Sequence, residues 1–367
     1  MKLSSCVCVI SAVCLAAACT PRPVNMRPTI EYVEEIMNGT RERERSVLES
    51  SARPSPSSDI SIIGNSAFCF AYADFLADYD ERDNVSGAHS PDGLPDFAGE
   101  SFVCIAEDSS SAARIRVSDT LGLRRDAVMS MLCALDTVVH ITPYDLEGSG
   151  RKPSSKLVVL ADPCLAEFGL FDMDTLKRAT GNSVPLVSTF DLMLAELFEA
   201  RPGSNLNVAV ICDSELVPEE VYANRFRRAA SAAGVPASEC MVFPSEGRDS
   251  LLHRMVVDYC RSGGTDLLDA VLVDDPAVVP DSIKTELADM VSLMNASSMT
   301  YGRRLAPDFR LIHGFDVLAE YCYDEFRRQN MFTHNIAMPE IELYRPVPAP
   351  GSENGEIILI PDLYVQN

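Results

Sequence analysis

The feature that most constrains the fold of this chain is a series of short, apolar runs rich in β-branched residues. They occupy residues 60–63, 102–106, 138–141, 157–161, 184–188, 208–212, 239–243, 269–273, 309–313 and 356–360. Most runs are continuous rather than alternating, which is typical of strands buried on both faces of a parallel sheet. Between them lie stretches with apolar residues at helical spacing, for example Val128, Met131 and Leu135.

Strands that alternate with helices predict right-handed crossovers and therefore parallel sheets. Ten strands exceed what we expect of one compact domain, and the Pro/Gly/Asn-rich segment 199–207 is a natural break. We predict an α/β fold with two lobes that have mainly parallel, doubly wound sheets. Residues 59–190 are expected to form lobe 1 and residues 205–305 lobe 2, and a C-terminal segment, 306–367, is expected to complete the lobes.

The N-terminus has the composition of a secretory signal peptide over residues 1–18, with an early positive charge at Lys2 followed by an apolar run. The run ends in small residues before Cys19, and this resembles a bacterial lipobox with Ala16 where the usual Leu lies. The resemblance implies that Cys19 is lipidated and that the protein is a membrane-anchored lipoprotein of the bacterial cell envelope, periplasmic or at the cell surface. Signal cleavage without lipidation is the alternative. The polar, Pro/Ser-rich composition of residues 19–58 predicts a tether with at most a short helix around residues 30–37.

The charge of the chain argues against a nucleic-acid partner, and the spacing of its potential ligands argues against a metal site. The chain carries 31 Lys plus Arg against 54 Asp plus Glu, a net charge of −23, so no nucleic-acid partner is expected. No cysteine pair has zinc-binding spacing, and the acidic loop 89–100 fits no calcium-binding loop. His313, Asp316 and His334 are interpreted as structural residues. We therefore predict no metal and no cofactor.

The turn Gly64-Asn65-Ser66 follows the first predicted strand. A nucleophile elbow needs glycine two residues after the serine, and that position is Phe68. Asn65 and Ser66 are therefore not expected to be catalytic. A helix that begins here either presents backbone N–H groups to a polar ligand or is simply capped by these side chains.

Similar polar residues follow other predicted strands. In open parallel sheets the carboxyl ends of the strands face the ligand-binding crevice, so we expect these side chains to converge on one cleft. Each of them taken alone is also explained as a helix cap or a turn. The ligand-binding candidates are Asn65, Ser66, Asp162, Ser188, Asp213, Asp274 and Asp275.

Three segments resemble type 1 periplasmic binding proteins. They are NVAVICDSELVPEEVYANRFRRAASAAGV (207–235), SVPLVST (183–189) and DAVLVDDPAVV (269–279). The resemblance implies two α/β lobes joined by a hinge, with a small polar molecule bound in the interlobe cleft. Ligand binding is therefore the preferred interpretation, and protein partners stay open.

The segment LVVLADPCLAEFGLFDMDTLKRATGNSVPLVS (157–188) resembles the first catalytic strand and helix of the aspartate/glutamate racemase family, with Cys164 near the catalytic position. The facing segment, LVDDPA, has no cysteine, so the two-thiol reaction of that family is not expected. A hydrolase or isomerase that uses the same cleft remains an alternative, as does a non-catalytic surface protein.

Overall fold

In the computed structural model, residues 27–107, 115, 119–245, 250–262, 266–296, 304–335, 337–351 and 356–362 are described. The strands are β1 (Asp59–Asn65), β2 (Ser101–Glu107), β3 (Val138–Val139), β4 (Gly150–Arg151), β5 (Ser155–Leu160), β6 (Leu186–Ser188), β7 (Asn207–Cys212), β8 (Glu239–Pro244), β9 (Leu268–Asp274), β10 (Leu305–His313), β11 (Glu340–Pro348) and β12 (Ile357–Pro361). The helices are α1 (Glu31–Asn38), α2 (Glu42–Ser50), α3 (Ser66–Asp78), α4 (Thr120–Leu135), α5 (Pro163–Thr180), α6 (Thr189–Ala200), α7 (Glu219–Ala232), α8 (Leu251–Arg261), α9 (Pro280–Ala296) and α10 (Gly314–Gln329).

Two separate sheets carry the fold. The first has the strand order β12–β11–β2–β1–β5–β6, and all its pairings are parallel except that of β11 with β12. The second has the order β10–β9–β7–β8 and is entirely parallel. The predicted α/β class with mainly parallel sheets is confirmed, and each of the ten predicted runs contains a strand.

Helices cover both faces of the first sheet, which explains why its central strands are apolar throughout. Ile60 and Ile62 of β1 point into a core that continues into the second lobe. Ile63 points to the opposite face, where α4 and α5 pack. A third core lies under α8 and α9 in the second lobe. Because one core runs through both sheets, the lobes are packed against each other.

The chain crosses between the lobes twice. It leaves the first sheet after α6 to form β7–β10, and it returns after α10 to add β11 and β12 to the first sheet. The segment 306–367 is therefore divided between the two sheets. No helix in the described part of the chain combines the length and the apolarity needed to span a bilayer.

The predicted tether is wrong for residues 27–58, because this segment is folded onto the first lobe. Val33, Ile36 and Leu48 from α1 and α2 are fully buried in the core beside α4 and α5. An apolar stripe on each short helix is enough to bury the segment, although its overall composition is polar. Residues 1–26, which include the proposed signal peptide and Cys19, lie outside the described residues.

A buried ion pair fixes the start of this segment. The guanidinium of Arg124 donates two hydrogen bonds to the Asp172 carboxylate, at 2.8 and 2.7 Å. It also donates one to the carbonyl oxygen of Pro28, at 3.0 Å. The N-terminal segment is thus attached to α4 and α5 by charged hydrogen bonds as well as by apolar packing.

Candidate functional site

The carboxyl ends of the two sheets meet at Asp274, the last residue of β9. Tyr72 of α3, in the first lobe, donates a hydrogen bond to Asp274 Oδ1 at 3.2 Å. Tyr222 of α7, in the second lobe, donates one to Asp274 Oδ2 at 2.9 Å. The two phenols therefore bind one carboxyl group from opposite lobes, and we call Tyr72, Asp274 and Tyr222 the interlobe cluster.

Burial determines the protonation of this cluster. Asp274 is 1% exposed, and the loss of solvation raises its pKa to about 7, although the two phenols lower it in part. Burial and the Asp274 charge raise the pKa of Tyr72 and of Tyr222 well above the usual value. The phenols therefore stay protonated and act as hydrogen-bond donors, while Asp274 is poised to gain or lose a proton near neutral pH.

A second buried carboxyl group lies close to the cluster. Asp162, at the start of α5, is completely buried, and its charge raises the pKa of both Asp274 and Tyr222. Its Oδ1 accepts a hydrogen bond of 2.8 Å from the Cys164 backbone. Gly64 leaves room for Asp162, because a Cβ on Gly64 would lie 3.0 Å from the Asp162 Cβ. The site between the lobes is therefore acidic.

Small and aromatic residues surround the interlobe cluster. A Cβ on Gly314, the first residue of α10, would lie 2.5 Å from the Tyr72 Oη, so the absence of a side chain lets the phenol reach Asp274. The buried hydroxyl of Thr189 makes no hydrogen bond of normal geometry within the described residues. Phe315 packs edge-on against Tyr72, with centroids 4.6 Å apart, and Phe190 packs similarly against Tyr222 at 4.9 Å. These rings fill the space between the strand ends.

The predicted open cleft is closed in this structure. Asp162, Asp274, Tyr72 and Tyr222 are all at most 2% exposed, and the aromatic rings occupy the space that a ligand would need. A molecule can reach the carboxyl groups only if the residues that cover them move. We therefore describe the site as a closed interlobe site rather than a cleft.

Most of the other ligand-binding candidates cap helices or turns. Asn65 Oδ1 accepts from the Ala67 backbone at 2.9 Å, which makes Asn65 the N-cap of α3. Ser66 is the first residue of that helix and is partly exposed. The remaining three accept backbone hydrogen bonds close to their own positions: Ser188 from Asp191, Asp213 from Glu215 and Asp275 from Ala277. Of the seven candidates, the structure brings together Asp162 and Asp274 in the interior of the site.

His313 is a structural residue. Its Nδ1 accepts a hydrogen bond from the Phe315 backbone at 3.2 Å, and its Nε2 lies 2.9 Å from the carbonyl oxygen of Val278. Burial lowers its pKa to about 4, so the ring is neutral at physiological pH. His334 is exposed. No group of three or more His, Cys, Asp or Glu side chains within the described ranges is arranged to hold a metal ion.

Thiol chemistry is disfavoured at Cys69, Cys104 and Cys212. Burial raises the pKa of Cys69 and of Cys212, and that of Cys104 to about 12. Protonated thiols are poor bases and poor nucleophiles. Within the interlobe cluster, Asp274 is the group whose pKa lies near neutral pH.

Sequence reasoning missed Tyr72, Tyr222, Thr189 and Gly314. Tyr222 lies in the segment 207–235 that resembles type 1 periplasmic binding proteins, and Tyr72 lies on the buried face of a very apolar helix. A phenol on such a face needs a polar partner, and this was the available signal. The partner itself lies in the other lobe and has no local signature.

The chain as a whole matches no protein-family model and no curated protein. Among solved structures it is similar to glutamate racemase from Francisella tularensis in complex with D-glutamate, with 11% identity, a TM-score of 0.46, and coverage of 79% of this chain and 88% of that chain. It is similar to PH1733, an aspartate racemase homologue from Pyrococcus horikoshii, with 12% identity, a TM-score of 0.36, and coverage of 74% and 99%. It is also similar to an ABC transporter solute-binding protein from Clostridium phytofermentas with bound L-rhamnose, with 9% identity, a TM-score of 0.26, and coverage of 83% and 94%. These identities and TM-scores are too low to assign an activity to this chain.

Proposed function

We propose that the protein binds a small polar molecule with a cationic group in the interlobe site, and that the lobes separate to admit it. The observation that carries this proposal is the interlobe cluster, in which Asp274 is held by phenols from both lobes. No basic side chain within the described residues pairs with Asp274. A buried carboxylate without a cation is costly, and a ligand ammonium group would relieve that cost.

Separation of the lobes would replace the hydrogen bond between Tyr72 and Asp274 with contacts to the ligand. When the lobes part, Tyr72 moves away from Asp274, and the carboxylate becomes available to the ligand while Tyr222 stays on its own lobe. A ligand bound at micromolar strength supplies about 8 kcal/mol. Hydrogen bonds to Asp274 and Asp162, together with re-closure of the aromatic residues over the ligand, are the interactions that would contribute it.

A second candidate is an acid–base enzyme, an isomerase or a hydrolase, that uses the same site. It is favoured by the pKa of Asp274, which burial raises to about 7. General acid–base catalysis is most effective when the pKa of the catalytic group is close to the working pH. In this mechanism Asp274 would accept the proton of the bound substrate, and Tyr222 would donate a hydrogen bond to the charge that develops.

The ligand proposal is tested by thermal unfolding in the presence of small amines and amino acids, with neutral polyols of similar size as matched controls. A compound that binds only the folded protein raises the Tm. We expect amine-bearing compounds to raise the Tm of the wild type and of Asp213→Asn, because Asp213 lies at a neighbouring strand end outside the site. The shift should disappear in Asp274→Asn. An equal shift in all three proteins, or no shift with any amine, would contradict the proposal.

The enzyme candidate is tested with any compound that binds. Incubation in D₂O followed by NMR reports whether a C–H proton of the ligand exchanges or its structure changes. Exchange in the wild type that is lost in Asp274→Asn supports the isomerase. Binding without any chemical change supports the ligand-binding protein.

We also propose that the protein is exported and lipid-anchored at Cys19. The support is the signal-like composition of residues 1–18 and the small residues before the cysteine. In a bacterial host, the wild type should fractionate with membranes and carry an acyl mass increment. A Cys19→Ser variant should lose both, and a variant that keeps both would refute the anchor.

A further inference from the structure

A concentration of basic side chains lies on the outer surface where α5 of the first lobe meets α7 of the second. It surrounds a cavity of about 880 Å³ that is open to solvent. The chain as a whole has a net charge of −23, so a cationic surface of this size is unexpected from its composition. We call the set of basic residues that line it the basic groove: Arg27, Lys177, Arg178, Arg225 and Arg228.

One carboxylate is shared among three of these cations. Glu167, whose side chain is 6% exposed, forms an ion pair with Arg228. Its oxygens also lie 3.9 Å from Arg225 and 3.9 Å from Arg27. Arg225 is further paired with Asp191, to which its Nε donates at 2.9 Å. A single carboxylate leaves the charges of Arg27 and Arg228 only partly compensated.

The other two cations have no ion pair within the part of the chain that is described. Lys177 and Arg178 lie in the last turn of α5. Burial lowers the pKa of Lys177, and the carboxylate of Asp174, which also lines the groove, raises it in part. The Arg178 Nε donates to the carbonyl oxygen of Asp174, so its charge is not neutralised by that bond. Cations in the last turn also complement the helix dipole. The charge of this side of the basic groove is therefore available to an external anion.

The cations of the basic groove also repel one another. The pKa of Arg27 is lowered by burial and, next in size, by the positive charge of Arg228. An anion between these side chains would relieve the repulsion. Guanidinium groups are planar and bind the oxygens of a phosphate in pairs.

We propose that the basic groove binds a phosphate group, held between the two lobes. Arg225 and Arg228 belong to α7, Lys177 and Arg178 to α5, and Arg27 to the N-terminal segment. A phosphate can come from a soluble phosphorylated molecule or from the headgroup of an anionic phospholipid. The site is separate from the interlobe cluster, and its existence does not depend on the proposed function.

The test uses the full chain and two probes, pyrophosphate in solution and vesicles of phosphatidylglycerol with phosphatidylcholine vesicles as the neutral reference. The groove variant removes three charges by substitution with Gln, at Lys177, Arg178 and Arg228. A matched control removes three exposed charges from other surfaces, at Arg125, Arg151 and Arg261. Calorimetry measures pyrophosphate binding, and sedimentation measures vesicle binding.

We expect the wild type and the control to bind at least one probe with equal affinity, and the groove variant to bind it at least about tenfold more weakly. Loss of pyrophosphate binding alone identifies a soluble phosphorylated ligand, and loss of vesicle binding alone identifies a lipid headgroup. If the wild type binds neither probe, or if the control weakens binding as much as the groove variant, the proposal is overturned. Should the triple variant fail to fold, the single substitution Arg228→Gln at a side chain that is 47% exposed serves instead, with a smaller loss expected.

Discussion

Tyr72, on a helix of the first lobe, donates a 3.2 Å hydrogen bond to Asp274, at the end of a strand of the second lobe. The two residues are far apart in sequence and are both almost completely buried. The contact between the lobes therefore includes a carboxyl group that titrates near neutral pH. The packing of one lobe on the other therefore depends on whether Asp274 is protonated.

The first prediction concerns the pH dependence of stability. Burial raises the pKa of Asp274 from 3.8 to about 7 in the folded protein, so the folded state holds this proton more tightly than the unfolded state. As the pH rises from the unfolded to the folded pKa, Asp274 lowers the free energy of unfolding by on the order of 4 kcal/mol, and above the folded pKa the contribution is constant. Asp274→Asn cannot titrate and should remove this fall. Urea unfolding at a series of pH values measures it.

The matched control for this prediction is Asp213→Asn. Asp213 lies at the end of the neighbouring strand but accepts a backbone hydrogen bond from Glu215, which an amide oxygen also accepts. Its unfolding free energy should follow the wild type across the pH series. An Asp274→Asn protein with the same pH dependence as the wild type would show that Asp274 is not titrating between the lobes.

The second prediction concerns the phenol on the same lobe as Asp274. Tyr222→Phe removes a 2.9 Å hydrogen bond to the carboxylate. Bonds to charged groups contribute about 1.5–3 kcal/mol, so above the pKa of Asp274 the free energy of unfolding should fall by that amount. Well below that pKa the carboxyl group is neutral, and the loss should be smaller.

Tyr79→Phe is the control for the loss of a phenol. Tyr79 donates a hydrogen bond of the same length, 2.9 Å, to Glu320, whose side chain is 37% exposed. Water can replace that bond, so the expected loss is below about 1 kcal/mol. If the two variants lose equal stability, burial is not what makes the interlobe cluster strong.

The third prediction concerns the N-terminal segment. Ile36 is fully buried against α4 and α5, and Ile36→Ala should lower the free energy of unfolding by about 2–5 kcal/mol. Glu34→Ala changes an exposed side chain of the same helix and should stay within about 0.5 kcal/mol of the wild type. Equal, negligible effects of the two substitutions on urea unfolding would restore the interpretation of this segment as a tether.

The strands show how far a local pattern predicts this fold. Continuous apolar runs are recognisable because both sides of the sheet are covered by helices, as in β1 and β5. The pattern does not reveal β11, which contains Pro346 and Pro348 and alternates with charged residues, because it lies near the edge of its sheet. The short helix expected around residues 30–37 corresponds to α1, but average composition does not reveal that it is buried on the first lobe, since its small apolar face is diluted by charged neighbours.

The site was predictable only in part, for a physical reason. A polar residue at the carboxyl end of a buried strand is a local signal, and Asp162 and Asp274 are two of the seven residues that it selects. The signal does not separate a buried carboxyl group from a cap such as Asp213, because both occupy the same position after a strand. Tyr72 belongs to the site because it contacts the other lobe, and a local sequence pattern cannot predict such a contact.

The last prediction concerns Gly314, which leaves room for the Tyr72 phenol. A methyl group at this position would lie 2.5 Å from the phenol oxygen and 3.4 Å from Asp274 Oδ1. Gly314→Ala should therefore displace Tyr72 and lower the free energy of unfolding by about 1–3 kcal/mol.

The cause is tested by repeating Gly314→Ala in a Tyr72→Phe background. Removing the phenol oxygen removes the closest clash, so the cost of Gly314→Ala should shrink there by at least about 0.5 kcal/mol, which is a measurable coupling between the two sites. A Tyr79→Phe background, in which the removed hydroxyl pairs with Glu320, should leave the cost unchanged. Additive costs in the Tyr72→Phe background would mean that Gly314 acts through the start of α10 and not through the phenol that joins the two lobes.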